Sequence, residues 1–229
     1  MRKPLSVILY AVFFLAGLSL LLYPSASDRW NDLRQSQVIA GYVEQVASLN
    51  RDVDKLWSDT EAYNRFLWEP GNSFVGSEEQ TTEYQQLLNV TEDGMMGYIE
   101  IPDIRCTLPI YHGTEESVLQ TAVGHVEWSS LPVGGESTHC VLLGHRGLPS
   151  ARLFTDLDQL GVGNVFRLRV LDEVLTYEVD QILVVEPQET AALQIVEGKD
   201  YCTLVTCTPY GINTHRLLVR GHRIENVRQ

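Results

Sequence analysis

Cys202-Thr203-Leu204-Val205-Thr206-Cys207-Thr208-Pro209-Tyr210-Gly211-Ile212-Asn213-Thr214-His215-Arg216, followed by Leu217-Leu218-Val219-Arg220, is the stretch that decides the fold. Its first part is β-branched and apolar up to Cys207, the composition of a strand. Pro209, Gly211 and Asn213 then interrupt it, because proline fixes φ and the other two tolerate positive φ. A second β run begins at once. The reading is strand, tight loop, strand, with Cys207 on the rim and Arg216 entering the return strand. A thiol beside a fixed guanidinium is placed to ionise, since a nearby cation favours the thiolate. The same two residues also read as a small buried hydrophobe and a solvated surface charge.

Val141-Leu142-Leu143-Gly144-His145-Arg146-Gly147 is a second apolar strand, and it ends at a histidine flanked by glycines. Glycine lets the backbone turn there and leaves the imidazole reachable. A histidine and a cysteine that each close their own strand suit a thiol nucleophile with an imidazole partner.

Outward from these two stretches, the 229 residues, 44% of them hydrophobic, suffice for one domain with a real core. A formal net charge of −13 argues against nucleic acid as a partner, which wants a basic face. The four cysteines, Cys106, Cys140, Cys202 and Cys207, contain no Cys-x-x-Cys pair, so neither a metal nor another cofactor is expected. His112, His125, His139 and His222 also lack metal spacing and are read as structural. Arg146 and Arg220 are read as solvated. Cys202 and Cys207 lie five apart in one strand and face opposite sides.

Residues 5–23 carry no charge and follow Arg2 and Lys3. That length spans a bilayer, and the basic flank puts the N-terminus inside. Ser25-Ala26-Ser27 allows a cleaved signal peptide instead. The polar ending Glu225-Asn226-Val227-Arg228-Gln229 makes residues 1–27 the expected anchor. From Asp28 the pattern is helical: Ile39, Tyr42, Val43, Val46, Leu49, Val53, Leu56 and Trp57 form one apolar stripe. Trp68-Glu69-Pro70-Gly71 breaks it. Residues 82–89 read as a short helix, and 28–93 as a helical region. From Gly94 the period turns to β, with strands at 95–101, 105–111, 139–143, 165–171, 174–185, 200–206 and 216–224. Residues 115–123 and 153–160 read as helices. About eight short strands in residues 94–229 predict a mainly β fold, a closed eight-stranded barrel with short helices, preceded by N-terminal helices and the membrane helix.

The string Thr203-Leu204-Val205-Thr206-Cys207, with Arg216 nine residues beyond the cysteine and Gly144-His145-Arg146-Gly147 upstream, resembles sortases, the cysteine transpeptidases of Gram-positive cell surfaces. Thr208-Pro209-Tyr210-Gly211-Ile212-Asn213-Thr214-His215-Arg216 and Leu148-Pro149-Ser150-Ala151 resemble the pilus-type branch, class C. The resemblance implies a sortase-type barrel, with Cys207 as nucleophile on a Leu-Pro-x-Thr-Gly-like sorting signal, His145 as proton carrier and Arg216 as holder of the oxyanion. Leu204 and Thr206 are expected to line the substrate pocket. In the family the two catalytic strands run side by side, which would make Cys140 and Cys202 near neighbours, open to bridging. The partners implied are pilins or surface proteins bearing the signal, and a lysine or peptidoglycan amine as acceptor. The enzyme would sit in the cell membrane with its catalytic domain outside. Pilus-type sortases also carry a lid of order Asp-Pro-aromatic. Trp68, Glu69 and Pro70, within residues 66–76, stand in its place with the aromatic first and glutamate for aspartate. No carboxylate motif that would orient His145 is visible. A housekeeping sortase, a cysteine hydrolase and a non-enzymatic assembly factor are the competing expectations.

Overall fold

A computed structural model describes residues 3–49, 52–91, 93–148 and 151–225. Arg2, the pair Pro149-Ser150 and the last four residues lie outside the described residues. Eight strands close into a barrel in the order β1-β2-β3-β4-β7-β8-β6-β5. They are β1 (Met95–Ile101), β2 (Cys106–His112), β3 (Val123–His125), β4 (Thr138–Leu143), β5 (Val165–Val170), β6 (Glu173–Val185), β7 (Asp200–Thr208) and β8 (His215–Ile224). Six of the eight neighbouring pairs are antiparallel; β2–β3 and β4–β7 are parallel. Closure leaves no sheet edge.

Strand alternation fills the barrel. Ile99, Ile101, Leu142, Phe166, Leu168, Tyr177, Leu204 and Val219 meet in one core, joined by Phe154 from a turn after β4. A smaller apolar cluster, Val141, Leu193, Val205 and Leu218, lies on the outer faces of β4, β7 and β8. The loop before β7 roofs part of it, with Gln194 O accepting from the His139 ring at 2.9 Å.

Three helices precede the barrel: α1 (Lys3–Ser48), α2 (Asp52–Trp68) and α3 (Glu78–Gln86). Helix α1 passes unbroken through Pro24 and across residue 27, roughly 70 Å at 1.5 Å per residue. It is long and apolar enough to cross a membrane. Its later turns dock on the barrel through Tyr42, whose hydroxyl donates to Met96 O at 2.9 Å and accepts from Leu171 N at 2.8 Å. Ile39, Leu49, Val53, Leu56 and Trp57 pack on the core as the stripe requires, whereas Val43 points outward. Tyr84 of α3 performs a similar docking, its hydroxyl accepting from Gly113 N and meeting His125 Nδ1, both at 3.0 Å.

The expected helix at 115–123 is instead one helical turn, α4 (Glu116–Leu119), followed by β3. The expected helix at 153–160 is turns with a single 3-10 segment at Leu157–Gln159.

Candidate active site

The parallel register of β4 and β7 runs from Thr138↔Asp200 to Leu143↔Val205. Gly144 N continues it by donating to Val205 O at 3.0 Å. Two residues beyond Leu143 and Val205, the same register brings His145 and Cys207 to one level. Across the other edge of β7, Cys207 pairs directly with Arg216 of β8. Directly opposite residues in an antiparallel pair share a face, with Cα atoms about 5 Å apart. Cys207, His145 and Arg216 therefore gather at one rim of the barrel, each at the end of its own strand.

The face is fixed by alternation. Cys202, Leu204 and Thr206 point into the barrel, and Val205 and Cys207 point out. This corrects the expectation that Leu204 and Thr206 line a pocket. Leu204 is core, and Thr206 is buried with its hydroxyl donating to Gly144 O at 2.7 Å. Thr206 thus ties the His145 segment to the Cys207 strand from beneath. Val205 and Leu218 offer the apolar outer surface beside Cys207. Cys140 and Cys202 are register partners inside the barrel, both as free thiols. Burial, with the Cys140 thiol adding to it, pushes the Cys202 thiol well up.

Each rim residue has local support. Arg216 Nη1 donates to Asn213 O at 3.3 Å and His215 O at 3.1 Å, so the carbonyls of the β7–β8 loop hold the guanidinium. Gly211 and Asn213 of that loop adopt φ of +72° and +61°, as their residue types allow. His145 O accepts from Phe154 N at 3.1 Å. Its ring Nε2 lies 3.3 Å from Glu116 Oε2 of α4. Glu116 was not found from the sequence: it is 29 residues upstream, and nothing in its local pattern distinguishes it from an ordinary helix-start acid. Gln120 Nε2, donating to Glu116 Oε1 at 3.3 Å, and then His145 hold its carboxyl below the usual glutamate range.

Arg146 is not solvated. Its side chain is 9% exposed and pairs with Asp158. Nη1 donates to Thr208 Oγ1 at 3.4 Å, and the guanidinium lies 5.8 Å from the centre of the Tyr210 ring. Gly147, at φ +76°, lets that ring approach; a Cβ there would stand 2.9 Å from Tyr210 Cε2. Arg146 thus fastens the loop after His145 to the loop after Cys207. Arg220 is also engaged, in a two-pronged pair with Asp180 at 2.9 Å and over the Tyr201 ring at 4.1 Å.

Trp68, Glu69 and Pro70 stand elsewhere. They line a cleft of about 360 Å³ with Trp128, His139 and Leu193. His139 is six residues of extended chain from His145, about 20 Å. The Glu69 carboxylate accepts from Asn72 Nδ2 at 3.2 Å, within its own loop. Among the described residues no ion pair joins Glu69 to Arg216. The cleft they line lies at the start of β4, and its lining includes none of Cys207, His145 and Arg216. No cluster of residues able to hold a metal occurs among the described residues.

A closed barrel that brings a cysteine, a histidine and an arginine to one rim offers the groups that thiol-dependent acyl transfer uses. The chain belongs to the sortase family: the sortase domain model matches residues 99–224. It is 31% identical over 131 residues to sortase D of Bacillus subtilis, covering 56% of this chain and 63% of that protein. The chain thus spans less than two thirds of that relative's length. Among solved structures, sortase C1 of Streptococcus agalactiae superimposes with a TM-score of 0.81 at 50% identity, over 83% of this chain and all of that one. Sortase C of Streptococcus pneumoniae, whose title speaks of pilin substrate specificity, gives 0.75 at 44% identity over 84% and 99%.

Proposed function

We propose that the chain is a membrane-tethered cysteine transpeptidase of the pilus-building kind. The observation that carries the chemistry is the Cys207–Arg216 register pair, with His145 brought level by the β4–β7 ladder. The Cys207 thiol gives its proton to His145, and the thiolate attacks the carbonyl of a sorting-signal peptide bond. Arg216 donates to the developing oxyanion. The imidazolium protonates the leaving amine, which departs and leaves a thioester on Cys207. An incoming amine gives a proton to His145 and attacks the thioester, expelling the thiolate and restoring the pair.

The similarity to class C structures at 44–50% identity supports a lysine of a second pilin as that amine, giving an isopeptide-linked polymer. The apolar first part of α1 supports a tether with the barrel outside the membrane.

The test is transpeptidation by the full chain in detergent, with Cys207→Ala run beside it. A recombinant pilin bearing its signal and lysine should give a covalent ladder that vanishes in the variant. Signal cleavage that appears only with an added small amine, and no ladder, would move the acceptor to a peptidoglycan amine. No cleavage under either condition would overturn the enzymatic reading.

A further inference from the structure

Among the described residues, one carboxylate touches the His145 ring, and it comes from an element outside the two catalytic strands. Glu116 sits at the start of α4, and its Oε2 is 3.3 Å from His145 Nε2. The other charged or titratable groups around the imidazole are accounted for. Cys207 of β7 stands level with it, and Arg216 of β8 is held by the Asn213 and His215 carbonyls. Arg146, next in the chain, turns away to Asp158 and Tyr210. The His215 ring Nδ1 meets Thr214 Oγ1 at 2.9 Å. Glu115, just before α4, has its carboxylate against Gly113, where an added Cβ would meet Oε2.

We propose that Glu116 is the positioning residue of His145: it fixes the ring and keeps a proton on Nε2, so that Nδ1 is the nitrogen that exchanges protons with Cys207 and the amines. This rests on the acyl-transfer role assigned above to His145.

The chemistry follows from what a carboxylate can do. An ionised carboxylate only accepts, so the imidazole nitrogen facing it must carry the hydrogen. Glu116 is ionised at neutral pH, its carboxyl lowered by the Gln120 amide and by His145 itself. With Nε2–H committed to Glu116, the lone pair of the neutral ring is at Nδ1. When Nδ1 takes the thiol proton, the positive charge that develops faces a carboxylate already in place. In a Ser-His-Asp triad an aspartate does the same work from a buried position. Here the acid is open to water, with side-chain exposure of 68% against 27% for His145. Its effect is accordingly modest and screened by salt.

The experiment uses the full chain in detergent, as wild type, Glu116→Gln, Glu116→Ala and Glu116→Asp. Two readouts are taken at low and high salt. One is kcat and KM for a signal peptide with hydroxylamine as acceptor. The other is the rate at which iodoacetamide alkylates Cys207 at neutral pH, which needs no sortase activity. Removing the acid should lower kcat about three- to tenfold and leave KM within about twofold. Alkylation should slow about threefold at low salt, because Nδ1 is no longer held ready to take the thiol proton. High salt should slow the wild type towards the variants and leave Glu116→Gln and Glu116→Ala unmoved. Glu116→Asp should restore part of both rates. Variants that match the wild type in kcat and alkylation at low salt overturn the proposal. So does a loss that is the same at both salts and comes with a lowered melting temperature, the mark of a merely structural residue. If peptide turnover is absent in the wild type but alkylation still depends on Glu116, the positioning role stands and the transpeptidase reading fails.

Discussion

Gly144→Ala is the substitution whose effect can be worked out most fully. Gly144 precedes His145, and its backbone is bonded on both sides: N to Val205 O and O from Thr206 Oγ1. Its φ is not in the left-handed region, so the need for glycine there is steric and not conformational. A Cβ on Gly144 would stand 2.6 Å from Phe154 Cδ2, 2.9 Å from Cγ and 3.0 Å from Cε2. Carbon atoms pack at about 3.5–4.0 Å, so close to 1 Å of overlap must be relieved. Phe154 is fully buried and cannot swing into solvent. Either that ring or the strand end carrying His145 moves. Overpacking of this kind costs about 1–3 kcal/mol. For a chain of this size that is a melting-temperature loss of roughly 2–12 °C. Displacing the imidazole by even part of an ångström should lower kcat at least about tenfold. The assays are thermal unfolding of the full chain in detergent and hydroxylamine-dependent cleavage of a signal peptide. Phe154→Leu, which frees space over Gly144, should recover part of both losses in the double variant, with a coupling of about 1 kcal/mol or more. A Gly144→Ala protein that melts with the wild type and turns over within about twofold of it would refute the steric argument.

Four other outcomes follow from the same geometry. Tyr42→Phe removes a buried hydroxyl that serves Met96 O and Leu171 N, and should cost about 1–3 kcal/mol by denaturant titration, while cleavage by the folded fraction is unchanged. Iodoacetamide should find one fast thiol, Cys207: Cys140 and Cys202 are buried, and burial pushes the Cys106 thiol up to about 12, so mass spectrometry of the native protein should show one adduct, absent in Cys207→Ala. Trp68→Ala should leave that alkylation rate within about twofold, because Trp68 stands beside the start of β4; a large acceleration would mean that the segment shields Cys207. Burial raises the Asp200 carboxyl above the ordinary aspartate value, against hydrogen bonds from Gly135 N and the Tyr177 hydroxyl. The folded chain therefore keeps this proton to higher pH than the unfolded chain. Its contribution is complete below the ordinary aspartate range and is lost as pH rises through the raised value. Asp200→Asn should flatten that slope in urea midpoints taken from acidic to neutral pH, and equal slopes would remove the assignment.

The strands that build the site were readable because their composition and their breaks agree. Thr203-Leu204-Val205-Thr206 is a β-branched, apolar run up to Cys207, and Pro209, Gly211 and Asn213 allow one kind of loop before β8. β3 was not readable, since Val123-Gly124-His125 is three residues long and shows no period. The inward facing of Leu204 and Thr206 follows from the same alternation that turns Cys207 outward, so the pocket-lining expectation conflicted with the strand's own period. The pairs Arg146–Asp158 and His145–Glu116 join segments separated by folding, not by spacing. A lone charge in sequence looks solvated until its partner's position in space is known. The Cys140–Cys202 neighbourhood came from the parallel pairing implied by the family resemblance, and the register places the two cysteines opposite one another.

The most direct test of the central claim, that Cys207 carries the acyl group with His145 and Arg216 beside it, is the intact mass of the chain after brief exposure to a sorting-signal peptide without an acceptor. The account expects a shift equal to the acyl fragment, mapped to Cys207 and released by hydroxylamine. It expects no shift in Cys207→Ala, and a greatly slowed one in Arg216→Ala and His145→Ala. An adduct on another residue, or one that forms as fast without Arg216 and His145, would contradict it.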